Sequence, residues 1–524
     1  MKKDESKSKL NDSSNIWKAL LVILALVLLF TLQYLPHFNY KYPFHIDEWH
    51  HISEARTIEE QGIKFFTYHY FNAIEVGFQI ILFLIDSFFP LVLVYKFLPA
   101  LNAVIIACVL FYFLTTRYSF WAGFFSMLFL ATIKSNINIL GLWFYVPVVA
   151  ATPFVYAFLF LLPESLNNRF KWYLSLVLLA IVAFVHTSSF LLIGVLTGFF
   201  YMINIKYLGL GKYKKYLDSD YLQKNLKNLW PLLIVIIPVL IIINNFWGAF
   251  DLKRVIFGAS PANVITYNPF LLYGVLSSIF AFLGVIISLK KRKILPFSIY
   301  FLITLINILL FPSTNFTFFS AYQRSVYHFM IASVPLSALG LFFSLNFLYV
   351  YSIKLFRLPK FKKLGLISTY IIIAILAISS FGVIFYDYLN YEIDPRAALY
   401  TLIDDDDYKA MLFLKGYSPP SNFNAHHKDW NVLSPIYPGN AIPAVSRKTS
   451  FAAIHYSPEE QNTLAKNFLQ ANCSEQAKLI NHNYYSGLRY VYSYKPLNCI
   501  FFEEIFRNDK VYLYKILRGI AKNV

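Results

Sequence analysis

Charge is what this chain has least of. Asp, Glu, Lys and Arg make up 14% of its 524 residues, where soluble globular chains run near a quarter. With 58% hydrophobic residues and a mean hydropathy of +0.53, a soluble globular protein is excluded. Cysteine is scarce as well, three in all, so the redox compartment is barely specified. Cys108 lies in an apolar run and reads as packing. Cys473 and Cys499 both fall in the tail, where a disulfide is open to them if that tail is extracytoplasmic. Acidic residues number 28 against 46 basic ones, a formal charge of +18. The basic residues are scattered over short loops between apolar runs, which is the positive-inside pattern and excludes a nucleic-acid surface. There is no internal repeat, whereas a transporter built from inverted halves should show one.

What is abundant is apolar sequence at bilayer-spanning length, and such runs must be helices because lipid offers no partner to an unpaired amide. Residues 1–16 form a polar, lysine-bearing tail. Residues 20–35 follow without a small-residue cleavage site, which predicts a retained anchor. Spans are predicted at 17–35, 93–116, 120–133, 146–162, 172–185, 190–205, 230–246, 270–289, 295–311, 326–349 and 364–386. The run 73–89 is short, carries Glu75, Gln79 and Asp86, and ends at Pro90. The basic clusters at Arg169 and Lys171, 206–227, 290–293 and 354–363 place Arg117 on the cytoplasmic side. That agrees with a cytoplasmic N-terminus only if 73–89 does not cross, so it is predicted to lie along the outer face. The expectation is an all-α polytopic protein of about eleven spans at 17–388, in the cell (plasma) membrane. A long first outer loop occupies 36–91, and 186–189 makes a tight outer turn. An extracytoplasmic α/β domain follows at 389–524, with helices from Asp404 to about Leu414 and over 459–470, the second started by a capping box at Ser457. Strands are predicted at 489–494 and 511–516.

The densest ionisable cluster is His45-Ile46-Asp47-Glu48-Trp49-His50-His51, where the chain has just left the first span. It would serve equally as a solvated loop with a Trp anchor. Adjacent Asp47 and Glu48 point in different directions on a regular backbone and so do different jobs. A carboxylate shielded by the membrane surface suits a general base acting on a hydroxyl. Such a base needs a reactant with a good leaving group, and a lipid-linked phosphosugar supplies one that wants a cation rather than a proton. Lys253, Arg254 and Arg324 are the cations on later outer loops, the last in Ala321-Tyr322-Gln323-Arg324 at the mouth of a span. Arg324 would also serve as a snorkelling interfacial residue. Tyr322, His50 and His328 join them as candidate phosphate or substrate contacts. His50 and Glu54, four apart, could form a divalent metal site with Asp47, although no known ligand spacing is matched. No other cofactor is suggested. Embedded polar groups at Glu75, Asp86, His186 and His328 are either site residues or helix-to-helix hydrogen bonds.

The Asp47-Glu48 pair on a long first outer loop, the juxtamembrane run before the next span, basic Arg117, Arg324 heading a span and the terminal outer domain together resemble the GT-C superfamily of membrane glycosyltransferases. Within it the chain is more similar to the protein O-mannosyltransferase and lipid A aminoarabinose transferase branch, whose Asp of the pair is taken as the base. The second outer loop, 135–142, has no carboxylate, and the Trp-Trp-Asp-Tyr-Gly signature of oligosaccharyltransferases is absent. The resemblance implies a polyprenyl- or dolichyl-phosphate sugar donor and a protein, lipid or glycan acceptor, with Asp47 as base, Glu48 positioning it or the acceptor, and Arg324 with Arg254 on the departing phosphate. A flippase for lipid-linked glycans and a non-catalytic scaffold are the rival classes. His426, His427, Trp430 and Tyr437 in the tail are expected to suit an acceptor.

Overall fold

The computed structural model describes residues 2–62, 75–136, 139–166, 168–207, 266–356, single positions between 371 and 390, 399–417, 431–454, 457–482 and 487–521. Helix α1 spans Lys2–Tyr34, and α2, Ile46–Gln61, lies in the loop after it. Helix α3, Val76–Phe88, is 13 residues long. At 1.5 Å per residue it reaches about 20 Å and falls short of a bilayer core of about 30 Å. One face of it is buried through Phe78, Gln79 and Leu82, while Leu84, Phe88 and Phe89 stay exposed.

The helical body continues with α4 (Leu98–Arg117), α5 (Phe120–Leu130), α6 (Pro147–Ser165), α7 (Arg169–Val185), α8 (Thr187–Tyr207), α9 (Val275–Lys290), α10 (Leu295–Thr314) and α11 (Tyr322–Phe356). Among the described residues six helical segments are long and apolar enough to cross a membrane. This is fewer than the eleven read from hydropathy. Helices α5, α7 and α9 run to 11, 17 and 16 residues, and the expected spans at 230–246 and 364–386 lie outside the described residues or touch them at single positions. Glycine sets the tightest crossing. A Cβ on Gly340 would meet the Phe280 carbonyl oxygen at 2.0 Å, and one on Gly284 would meet that of Leu336 at 2.2 Å, so α9 and α11 touch backbone to backbone. At one end of the bundle Arg117 donates to Glu164 at 2.5 Å, and Lys171 pairs with the same carboxylate. The two basic turns therefore share one side.

The C-terminal part is a small α/β unit. Helix α12 (Asp405–Tyr417) begins on an Asp404 carboxylate that accepts the amides of Asp406 and Asp407, each at 3.0 Å. A four-stranded sheet runs in the order β1 (Val432–Leu433), β2 (Tyr490–Ser493), β4 (Tyr512–Ile516), β3 (Phe502–Arg507). Within the sheet β1 and β2 pair in parallel, and the β2–β4 and β3–β4 pairings are antiparallel. Strand β3 was not foreseen. The helix Glu459–Gln470 forms, but without the expected capping box: Pro458 is its N-cap, and the Ser457 hydroxyl donates instead to the Phe451 carbonyl. Cys473 and Cys499 are joined as a disulfide.

This unit is built onto the loop after α1. The Tyr40 hydroxyl donates to Ile403 O at 2.7 Å, Lys41 and Tyr42 both reach Asp405, and the Thr401 amide donates to Phe44 O at 2.9 Å. Further along α2, Arg447 pairs with Glu59 and Glu60.

Candidate active site

Helix α2 starts at Ile46 because His45 caps it. The His45 Nδ1 accepts the Asp47 amide at 3.1 Å, and Glu48 closes the reciprocal half of a capping box. The adjacent carboxylates consequently separate. Glu48 turns inward, is fully buried, and accepts the amides of Phe44 (2.7 Å), His45 (3.1 Å) and Tyr145 (3.0 Å). Burial pushes its carboxyl up to about 8, against amides that favour the ionised form. Glu48 thus ties the loop after α1 to the stretch before α6, and its oxygens are spent on backbone. Asp47 keeps a side chain 21% exposed.

Arg324 sits in the first turn of α11, with Nη1 buried and lacking a hydrogen-bond partner among the described residues. Tyr322, two residues earlier, is occupied in packing. Its hydroxyl accepts the Tyr267 amide at 2.7 Å, and its ring stacks on Phe311. His50 packs beside the His51 ring, and Glu54 is buried on α2. Among the described residues no three His, Cys, Asp or Glu are gathered to hold a metal ion, so His50, Glu54 and Asp47 do not form one set. Lys253, Arg254, His426, His427 and Trp430 lie outside the described residues. Tyr437 is half-exposed at the surface of the C-terminal unit.

The structure adds a centre that sequence reasoning held only as loose candidates. Gly77 lets α3 press against the end of α7, since a Cβ there would stand 2.8 Å from the Phe184 carbonyl carbon. This brings Glu75, at the start of α3, beside the turn after α7. Its Oε1 is 3.7 Å from His186 Nε2 and its Oε2 is 3.9 Å from His51 Nε2. Behind His186 a buried line continues: Nδ1 to Ser189 Oγ at 2.7 Å, Ser189 Oγ to His328 Nε2 at 3.3 Å, and His328 Nδ1 to Tyr300 OH at 2.6 Å. Burial raises the Glu75 carboxyl to about 7. Arg324 pulls it down and Asp47 pushes it up, so this carboxylate feels both candidate residues. The signal available in sequence was a carboxylate, a histidine and a serine placed beside otherwise apolar runs.

No protein-family model matches the chain, and no curated protein does. Solved structures do. An oligosaccharyltransferase of Archaeoglobus fulgidus, tethered to an acceptor peptide, aligns with a TM-score of 0.55 at 13% identity, over 91% of this chain and 69% of that one. The archaeal oligosaccharyltransferase AglB from the same organism, in complex with an inhibitory peptide and a dolichol-phosphate, gives 0.51 at 15%, over 92% and 69%. ArnT from Cupriavidus metallidurans bound to undecaprenyl phosphate gives 0.54 at 11%, over 95% of this chain and 98% of that one. The chain therefore has the fold of the GT-C membrane glycosyltransferases, and it matches ArnT along almost the whole of both chains.

Proposed function

We propose that this protein is a membrane glycosyltransferase that moves a sugar from a polyprenyl- or dolichyl-phosphate donor to a hydroxyl of a protein, lipid or glycan at the outer face of the cell membrane. The observation that supports this reading is that the charges of both a partly exposed Asp47 and Arg324, whose Nη1 has no hydrogen-bond partner among the described residues, are felt at Glu75, as befits a base and an anion holder at one site. Asp47 takes the proton of the acceptor hydroxyl. The acceptor oxygen bonds to the anomeric carbon opposite the phosphate, and the bond from that carbon to the phosphate oxygen breaks. Its electron pair leaves with the phosphate, which Arg324 holds and Lys253 and Arg254 would help to neutralise. Configuration inverts. Glu48 keeps the turn that aims Asp47. The binding of lipid phosphates by the two solved relatives supports such a donor. The meeting of Arg117 and Lys171 on Glu164 supports a cytoplasmic face there, opposite the outer face where Glu48 meets Tyr145.

The test uses the protein in lipid vesicles with a labelled polyprenyl-phosphate sugar and a hydroxyl acceptor. A transferase yields glycosylated acceptor and free lipid phosphate, whereas a flippase only moves intact donor. Losing a general base costs roughly 10² to 10⁴ in rate, so Asp47→Asn should lose that much turnover while still binding polyprenyl phosphate. Undiminished turnover in this variant refutes the assignment.

A further inference from the structure

Asp47 stands between the two residues of the capping box that opens α2, and both of those are held from outside the helix. Glu48 is held by the Tyr145 amide at 3.0 Å. His45 is held by rings: Phe144 meets it edge-on at 5.1 Å between centroids, and Tyr400 does so at 5.8 Å. Phe144 and Tyr400 also stack on each other at 6.1 Å, and both pack on Phe44. Because the His45 Nδ1 accepts the Asp47 amide, it has no hydrogen to give the Asp47 carboxylate, whose Oδ2 lies 3.9 Å away. The seat of the His45 ring therefore directs the first turn of α2 without pairing with the carboxylate that the turn carries.

Phe144 comes from the helical body, but Tyr400 comes from the chain just ahead of α12. Tyr400 is buried in the core of the helical body with Phe44 and Phe144, whereas nearby Leu402 and Ile403 pack in the cluster that joins α2 to the C-terminal strands. Hydrogen bonds pin this crossing on both sides. His45 and Tyr400 form an antiparallel bridge, and the Thr401 amide donates to Phe44 O at 2.9 Å. The Tyr40 hydroxyl serves both backbone groups of Ile403, donating to its carbonyl at 2.7 Å and accepting its amide at 3.3 Å. The Tyr42 hydroxyl donates to Asp405 at 2.8 Å. Thr401 has φ 46, a left-handed conformation that a β-branched residue keeps only where its surroundings over-determine it. A strained residue thus sits at the step that carries Tyr400 to the His45 ring.

Resting on the transferase reading above, we propose that Tyr400 is a positioning residue for the base: with Thr401 and Ile403 it holds the segment Tyr40–His45 from the C-terminal side and so aims Asp47. The C-terminal unit then acts in the chemical step through this contact, whatever it does for the acceptor.

Turnover is measured on the full chain in vesicles with the labelled polyprenyl-phosphate sugar and a hydroxyl acceptor. Hydrogen exchange is followed beside it at the Phe44, His45 and Asp47 amides, which all donate within the capping turn. Misplacing a reacting group by about 1 Å costs roughly a hundredfold. Tyr400→Leu should therefore lower kcat by about tenfold to a hundredfold, with donor KM and polyprenyl-phosphate affinity unchanged and the three amides exchanging faster. Tyr400→Phe keeps the ring and should recover most of that loss. In the Asp47→Asn background Tyr400→Leu should cost less than about twofold, because no base is left to aim. If Tyr400→Leu fails to fold, Tyr40→Phe makes the same test: removing the hydroxyl shared by the Ile403 amide and carbonyl should lower kcat about threefold to tenfold, again without changing affinity. A loss in the Asp47→Asn background as large as in the wild type, or an affinity that falls as far as kcat, overturns the positioning role. A wild-type protein that transfers no sugar sinks the transferase reading and the role that rests on it. Wild-type transfer with normal kcat or unchanged exchange in the folded variants sinks the positioning role alone.

Discussion

The ionisable groups around Arg56 and those around Glu75 both draw on α2 and α3, yet among the described residues only the first set is closed by ion pairs at hydrogen-bond distance. Arg56 pairs with Asp86 and with Glu59 at 3.1 Å, and Arg447 pairs with Glu59 at 2.6 Å and with Glu60. Burial pushes the Glu59 carboxyl up, but hydrogen bonds from Arg56 and Arg447 outweigh it and hold the group below its usual range. Around Glu75 the imidazole neighbours stand at 3.7 and 3.9 Å, and Arg324 Nη1 has no hydrogen-bond partner among the described residues. Breaking a buried ion pair is costly, so a saturated set is under pressure to stay as it is. A buried set left open costs stability in the empty protein and returns it when something binds. The comparison separates groups that hold α2, α3 and the C-terminal unit together from groups that wait for a ligand.

Arg324→Ala should divide the two sets most sharply. Truncating one member of a buried, hydrogen-bonded charge pair at an interface costs about 2 to 5 kcal/mol of binding. Polyprenyl phosphate should therefore bind some thirtyfold or more weakly by titration, while the melting temperature stays put or rises. A variant that binds the lipid phosphate normally would mean that Arg324 is a snorkelling residue, and the open set would lose its ligand.

Asp86→Asn tests the saturated set. Arg56 and Asp86 are 14% and 7% exposed, so their pair counts as largely buried. Losing one charge should cost about 3 kcal/mol, read as a lower midpoint in denaturant, with lipid-phosphate affinity of the folded fraction unchanged. If affinity fell while stability held, Asp86 would belong with Glu75.

How much of this was legible in sequence differs residue by residue. The short run before Pro90 was readable because length and embedded charge are local properties, and α3 closes at 13 residues. The break at His186 was readable too, although the next helix begins at Thr187, so the expected turn at 186–189 is confined to a single residue. The start of α2 was missed because histidine is an unusual N-cap, so His45 and Glu48 did not register as a capping box. Strand β3, Phe-Glu-Glu-Ile-Phe-Arg, lacks clean alternation and is broken by a register shift between Glu504 and Phe506. Above all, Glu75 meets His186 across a contact that Gly77 permits, and no local pattern announces a meeting between residues so far apart in the chain.

The smallest effect is expected at Arg447. It follows the short helix Ala441–Ser446 with φ 57, and its guanidinium bridges Glu59 and Glu60 in the last turn of α2. That turn holds no basic residue of its own, so two carboxylates face the negative end of the helix dipole and Arg447 supplies the cation from the C-terminal unit. Arg447, Glu59 and Glu60 are 16%, 34% and 22% exposed, and solvent screens such pairs. Arg447→Ala should therefore cost about 1 kcal/mol of stability, chiefly by fraying the end of α2. Adding Glu60→Gln should recover part of that, because it removes one repelled charge. Asp47 lies twelve residues back, about 18 Å along the helix, so turnover per folded molecule should fall less than twofold. A loss of turnover comparable to that of Asp47→Asn, at unchanged melting temperature, would show the C-terminal unit acting on the base through α2, and the saturated set could no longer be read as scaffolding.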